Sequence, residues 1–98
     1  MSTRLIIRPE AETDLAEAFA WYEDRRHGLG HEFLEAINDV FTAVSANPQR
    51  HSIIYREVRR ALPRRFPYKV LYLVQADEVQ VIGVIHAKRH PRVWQQRV

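Results

Sequence analysis

The residues best equipped for chemistry lie in the second half of the chain, and most are cationic. Arg59, Arg60, Arg64, Arg65 and Lys69 crowd into one stretch, and Lys88, Arg89 and Arg92 follow the last apolar run. Tyr68, Tyr72, His86, His90 and Trp94 are interleaved with them. If these segments are neighbouring extended strands, several of the cationic ends converge. Convergent guanidinium groups beside His86 and Tyr68 or Tyr72 bind phosphates and stabilise a phosphorane-like charge. The same groups can instead hold a carboxylate-rich peptide. The candidate anion or partner contacts are Arg59, Arg60, Arg64, Arg65, Tyr68, Lys69, Lys88, Arg89, Arg92 and Trp94. Trp94 has a second reading, as a pin that holds a short tail on the sheet.

Other chemistries find little support. There is no cysteine, so disulfides, thiolate metal sites and thiol nucleophiles are excluded. The three glycines are isolated, and no phosphate-cradling loop is present. His27 and His31 share a helical spacing, as do His86 and His90, but neither pair has a well-placed carboxylate, so no metal is expected. Glu57 sits among Arg56, Arg59 and Arg60 and is expected in a salt bridge. Asp77 and Glu78 fit a turn, which leaves no paired-carboxylate hydrolase. No cofactor is implied.

The charge is divided along the chain. Residues 1–49 carry four basic and nine acidic side chains; residues 50–98 carry eleven basic and three acidic. Such asymmetry sets up a field over one part of the surface and favours an anionic partner. With 98 residues the chain is one domain, 1–98, with room for one modest core. The N-terminus carries charge after only three apolar residues, so neither a signal peptide nor a membrane span is expected, and the default compartment is the cytoplasm.

The elements that position these residues follow from periodicity. Arg4–Arg8 is a short strand. Pro9 suits the first turn of a helix, whose stripe is Ala11, Leu15, Ala18, Phe19 and Tyr22, with Gly28 as its stop. Leu29, Phe33, Ala36, Ile37, Val40, Phe41 and Val44 mark a second helix, ended by Asn47-Pro48. The short joint predicts an antiparallel helical hairpin. Residues 52–56 and 58–62 read as strands or one bent ribbon, and Lys69–Val74 as a strong strand. Val79–Ala87 is the longest strand, with Val79, Val81, Gly83 and Ile85 on one side and Gln80, Ile82, Val84 and His86 on the other. The order predicts an α+β fold, with the hairpin packed on a mostly antiparallel twisted sheet of about four strands and a short C-terminal tail. Leu71 and Val81 are expected beneath the helices. The other sheet face is expected to be an open groove of mixed apolar and basic character.

Together, RPEAETDLAEAFAWY, YREVRRALPRRFPYKVLYLV and VIGVIHAKRHPRVW resemble the RelE/ParE toxin superfamily of type II toxin–antitoxin systems, and its ParE-like branch in particular. The resemblance covers nearly the whole chain. It implies a growth-inhibiting toxin, of the kind also called plasmid stabilisation proteins, neutralised by a cognate antitoxin. The antitoxin's acidic, amphipathic C-terminal segment would wrap the toxin, and its N-terminal domain would bind operator DNA. The ParE-like branch implies DNA gyrase as target. The RelE-like alternative is a ribosome-dependent mRNA endoribonuclease; its candidate catalytic residues here would be Arg59, Arg65, His86, Arg89 and His90. No tyrosine follows Tyr72, although RelE-like nucleases commonly carry one near the C-terminus. A plain nucleic-acid-binding module is the third class.

Overall fold

A computed structural model describes residues 3–98. Strand β1 (Arg4–Ile7) leads into helices α1 (Pro9–Arg25) and α2 (Leu29–Ala46). Strands β2 (Ile53–Tyr55), β3 (Val58–Ala61), β4 (Tyr68–Gln75) and β5 (Glu78–His86) follow, and a single turn, α3 (Arg92–Gln95), ends the chain. The sheet order is β1-β5-β4-β3-β2. β1 runs parallel to β5, and every other pair is antiparallel. The architecture is the expected α+β hairpin-on-sheet, with five strands rather than about four. Residues 52–62 are not one ribbon. They turn back at Arg56, whose backbone takes φ 51°, and pair Tyr55 with Val58.

The two helices bury their stripes against one face of the sheet. Phe33, Ile37 and Val44 are essentially inaccessible and meet Val70, Tyr72, Val79, Val81 and Val84. Phe33 stacks on Tyr22 at 5.3 Å and meets Phe66 and Tyr68 edge-on. α1 and α2 approach closely at Gly30, where a Cβ would lie 2.7 Å from the Phe19 carbonyl oxygen. Leu71 is not beneath the helices. It faces the opposite side, with Val58, Ile82, Ile85 and Trp94.

β5 departs from strict alternation. Leu71 pairs with Gly83 but Tyr72 pairs with Val81, so Ile82 is an extra residue. This bulge reverses the phase. Val84 joins Val79 and Val81 on the helical side, and Ile85 joins Ile82 on the other. The second face is not an open groove either. α3 lies over it and buries Trp94 among Val58, Leu71, Ile82 and Ile85.

The joint between the helices depends on one carboxylate. α1 stops at Arg25, and Gly28, with φ 90°, is the N-cap of α2 rather than a simple stop for α1. The α2 N-terminus has free backbone N–H groups that no Ser, Thr or Asp cap satisfies. Glu23 supplies the acceptors instead: Gly28 N–H and Gly30 N–H each donate to it at 2.9 Å. The Gly28 N–H bond, followed by the Gly30 bond and the fields of His27 and His31, holds its carboxyl below the usual value against an opposing effect of burial. A carboxyl whose folded value is depressed stabilises the fold fully above the unfolded value, about 4.5, and loses that contribution as pH falls through the folded value. Glu23→Gln is therefore expected to lower the denaturation midpoint at pH 7, and the gap to wild type should narrow below pH ~4.5. Urea denaturation at pH 7 and pH 3 measures both; a gap independent of pH would refute the cap.

Candidate functional site

A concavity opens between α1 and the paired ends of β4 and β5. It encloses about 520 Å³ and is lined by Asp14, Glu17, Trp21, Tyr22, Tyr68, His86 and Arg89, among others. The bulge in β5 turns His86 onto this side. Tyr68 lies opposite His86 in the ladder, with their rings edge-to-face at 5.2 Å. The Lys88 backbone N–H donates to His86 Nδ1 at 3.0 Å. A neutral His86 ring therefore carries its proton on Nε2, where it is a donor. Burial is the main cause that raises the pKa of Tyr68, so its phenol keeps its proton at neutral pH. Trp21 is 52% exposed, and the Arg25 guanidinium sits 4.1 Å over its ring.

Asp14 lines the cleft, in a role that no motif of the sequence marks. Arg97, from the end of the chain, donates to Asp14 Oδ2 at 2.7 Å and to Oδ1 at 3.2 Å. The same guanidinium donates to the Ile82 carbonyl oxygen at 2.9 Å, and the Val84 N–H donates to Asp14 Oδ2 at 3.0 Å. These groups flank the bulge, just past the point where β1 stops pairing with β5 at Val81. A Cβ on Gly83 would lie 2.9 Å from Arg97 Nη1, so glycine leaves the room the guanidinium occupies. An isolated glycine inside an apolar strand was the one mark of this site in the sequence.

Of the candidates marked in the sequence, Tyr68, His86 and Arg89 share the cleft, and the others lie apart from it. Arg59 turns toward the loop after α2 and donates to the carbonyl oxygens of His51 at 2.6 Å and Gln49 at 3.1 Å. Burial, aided by the charges of Arg50 and Arg59, pushes the His51 pKa down. Arg64 pairs with Asp39 and Arg65 with Glu32, each at 3.0 Å. The Arg65 and Arg26 bonds hold the Glu32 carboxyl below its usual range. Arg60 lies opposite Leu71, and Lys69 opposite Ile85, so both project from the second face. Lys88 and Arg92 are exposed nearby in chain order, and none of these four forms an ion pair among the described residues. His90 accepts a hydrogen bond from the Arg92 N–H at 3.1 Å. Glu57 makes no ion pair among the described residues. His27 meets Glu23, and His31 packs edge-on against Phe19. Trp94 is 3% exposed and holds the tail, so a partner reaches it only by displacing α3. Its Nε1–H has no hydrogen-bond partner among the described residues. No helix among the described residues is long and apolar enough to cross a membrane.

The fold thus combines a parallel first strand, a helical hairpin, an otherwise antiparallel sheet and a folded-back tail. The chromosomal ParDE toxin–antitoxin system of P. aeruginosa superimposes with a TM-score of 0.67 at 18% identity, covering 89% of this chain and 98% of that one. The RelBE2 toxin–antitoxin complex of Mycobacterium tuberculosis gives 0.63 at 22% identity, covering 88% and 99%. No curated protein matches the chain by sequence. Residues 5–91 match the family described as the ParE toxin of type II toxin-antitoxin system, parDE, and the chain belongs to that family.

The two tryptophans report on the two sides of the sheet. Acrylamide is expected to quench Trp21 efficiently and Trp94 weakly, so Trp21→Phe should leave a blue-shifted, poorly quenched emission. Equal quenching of both residues would mean that α3 does not cover the second face.

Proposed function

We propose that this ParE-family toxin arrests growth by binding DNA gyrase rather than by cutting RNA. The observation that carries this reading is the dispersal of the cations. A ribonuclease must bring a base and several positive groups within hydrogen-bond reach of one phosphodiester. Of the residues considered for that task, Arg59 is spent on backbone carbonyls and Arg65 on Glu32, whereas His86 and Arg89 lie in the α1 cleft. Arg60 projects from the opposite face. The target itself is inferred from membership of the ParE family.

The partner that restrains the toxin is, in this reading, an antitoxin segment rich in carboxylates and apolar side chains. Arg60, Lys69, Lys88 and Arg92 are the cations left without an internal counter-charge among the described residues, and they suit such a segment better than Arg59 or Arg65 do. Charge complementarity there raises the association rate more than the affinity. The antitoxin would carry the complex to operator DNA, and both would act in the cytoplasm with no cofactor.

Purified toxin is expected to block plasmid supercoiling by gyrase, or to trap cleaved gyrase–DNA complexes, and to be relieved by the antitoxin. Translation extracts should show no A-site cleavage. Unimpaired gyrase together with cut mRNA would replace this reading with the ribonuclease, and steeply salt-sensitive binding to bare DNA or RNA with neither effect would replace it with a nucleic-acid-binding module.

A further inference from the structure

The cleft beside α1 has a composition that the antitoxin contacts proposed above leave unused. Its α1 wall presents Glu17 and Trp21, four residues apart and hence neighbours on one helical face. Glu17 makes no hydrogen bond or ion pair among the described residues, so its carboxylate is free to accept. The facing wall presents the Tyr68 phenol, His86 with Nε2 as donor, and the Arg89 guanidinium, which forms no ion pair among the described residues. Asp14 is already matched by Arg97 and adds no free charge. The volume, about 520 Å³, is that of a small-molecule site.

We propose that this cleft binds a guanine nucleotide. Arg25 covers one face of the half-exposed Trp21 indole, and the other face provides a stacking surface for a base. A carboxylate one helical turn away accepts from two adjacent N–H donors at once, which guanine presents at N1 and its 2-amino group. Adenine offers an acceptor at N1 and is disfavoured there. The phosphate then lies toward Arg89 and His86, where one guanidinium and one imidazole N–H supply charge-assisted bonds. The ligand is either free or the terminal nucleotide of a single strand; its recognition chemistry is the same. This site is independent of the target proposed above, and a toxin that ignores gyrase could still carry it.

Titration calorimetry with guanosine 5′-monophosphate, and quenching of the Trp21 emission, test the proposal on the full chain. Saturable binding is expected, with adenosine monophosphate and inorganic phosphate each weaker by about tenfold or more. Glu17→Gln should weaken the guanine nucleotide by at least about tenfold and erase its advantage over adenine. Arg89→Ala should erase the advantage of the nucleotide over guanosine. Both positions are exposed, and unchanged thermal melts of the two variants verify that the fold is intact. A guanosine-ended oligonucleotide that binds more tightly than the monophosphate, and is lost in the same variants, assigns the site to a strand terminus and supports the proposal. No saturable binding of either probe, or binding that both variants leave unchanged, overturns it.

Discussion

The fold turns on a break in the central strand. β1 pairs with β5 only as far as Val81, and the extra residue Ile82 follows immediately. Backbone groups left beside a bulge must find partners. Asp14 from α1 and Arg97 from the C-terminal tail supply them, binding Val84 N–H and the Ile82 carbonyl while pairing with each other. Their side chains are only 13% and 16% exposed, so the pair lies in a medium where leaving one charge alone is costly. One cluster thereby joins the first helix, the middle of the sheet and the end of the chain.

Two consequences reach the surface. Past the bulge the side chains exchange faces, which delivers His86 to the cleft beside Tyr68 and α1. Anchoring Arg97 also brings the tail back over the sheet, and Trp94 closes the second core among Val58, Leu71, Ile82 and Ile85. The charge division visible along the chain becomes a spatial one. Acids of α2 neutralise Arg64 and Arg65, whereas Arg60 and Lys69 project from the other face with no such counter-charge among the described residues. In the reading proposed above, those uncompensated cations meet the carboxylates of the antitoxin.

Features with a strong period were legible in the sequence. The stripes from Ala11 to Tyr22 and from Phe33 to Val44 describe the helices and most of their buried faces, because helical spacing alone selects the residues that meet the sheet. The family, too, was evident from motifs near both ends of the chain, and the match over residues 5–91 agrees. What failed depends on long-range pairing. Alternation through Gly83 put Ile85 and His86 on the wrong faces, since nothing local marks which residue of an apolar run is extra. Leu71 moved to the second face for the same reason: strand phase is set by neighbours, not by composition. The arginines read as convergent because strand ends converge, but Arg59, Arg64 and Arg65 reach a nearby carbonyl or carboxylate instead, and Arg60 projects from the other face. Asp14 and Arg97 lie 83 positions apart, and no pattern in the chain links them.

The central claim is that Asp14 and Arg97 act as one clamp. A double-mutant cycle with Asp14→Asn, Arg97→Gln and their combination, read by urea denaturation at neutral pH, tests it most directly. Asparagine keeps an acceptor for Val84 N–H, so the cycle isolates the bond across the bulge. The account predicts that each single change destabilises the protein and that the double costs less than their sum, with a coupling of about 1–3 kcal/mol. Additive losses, within about 0.5 kcal/mol, would contradict it.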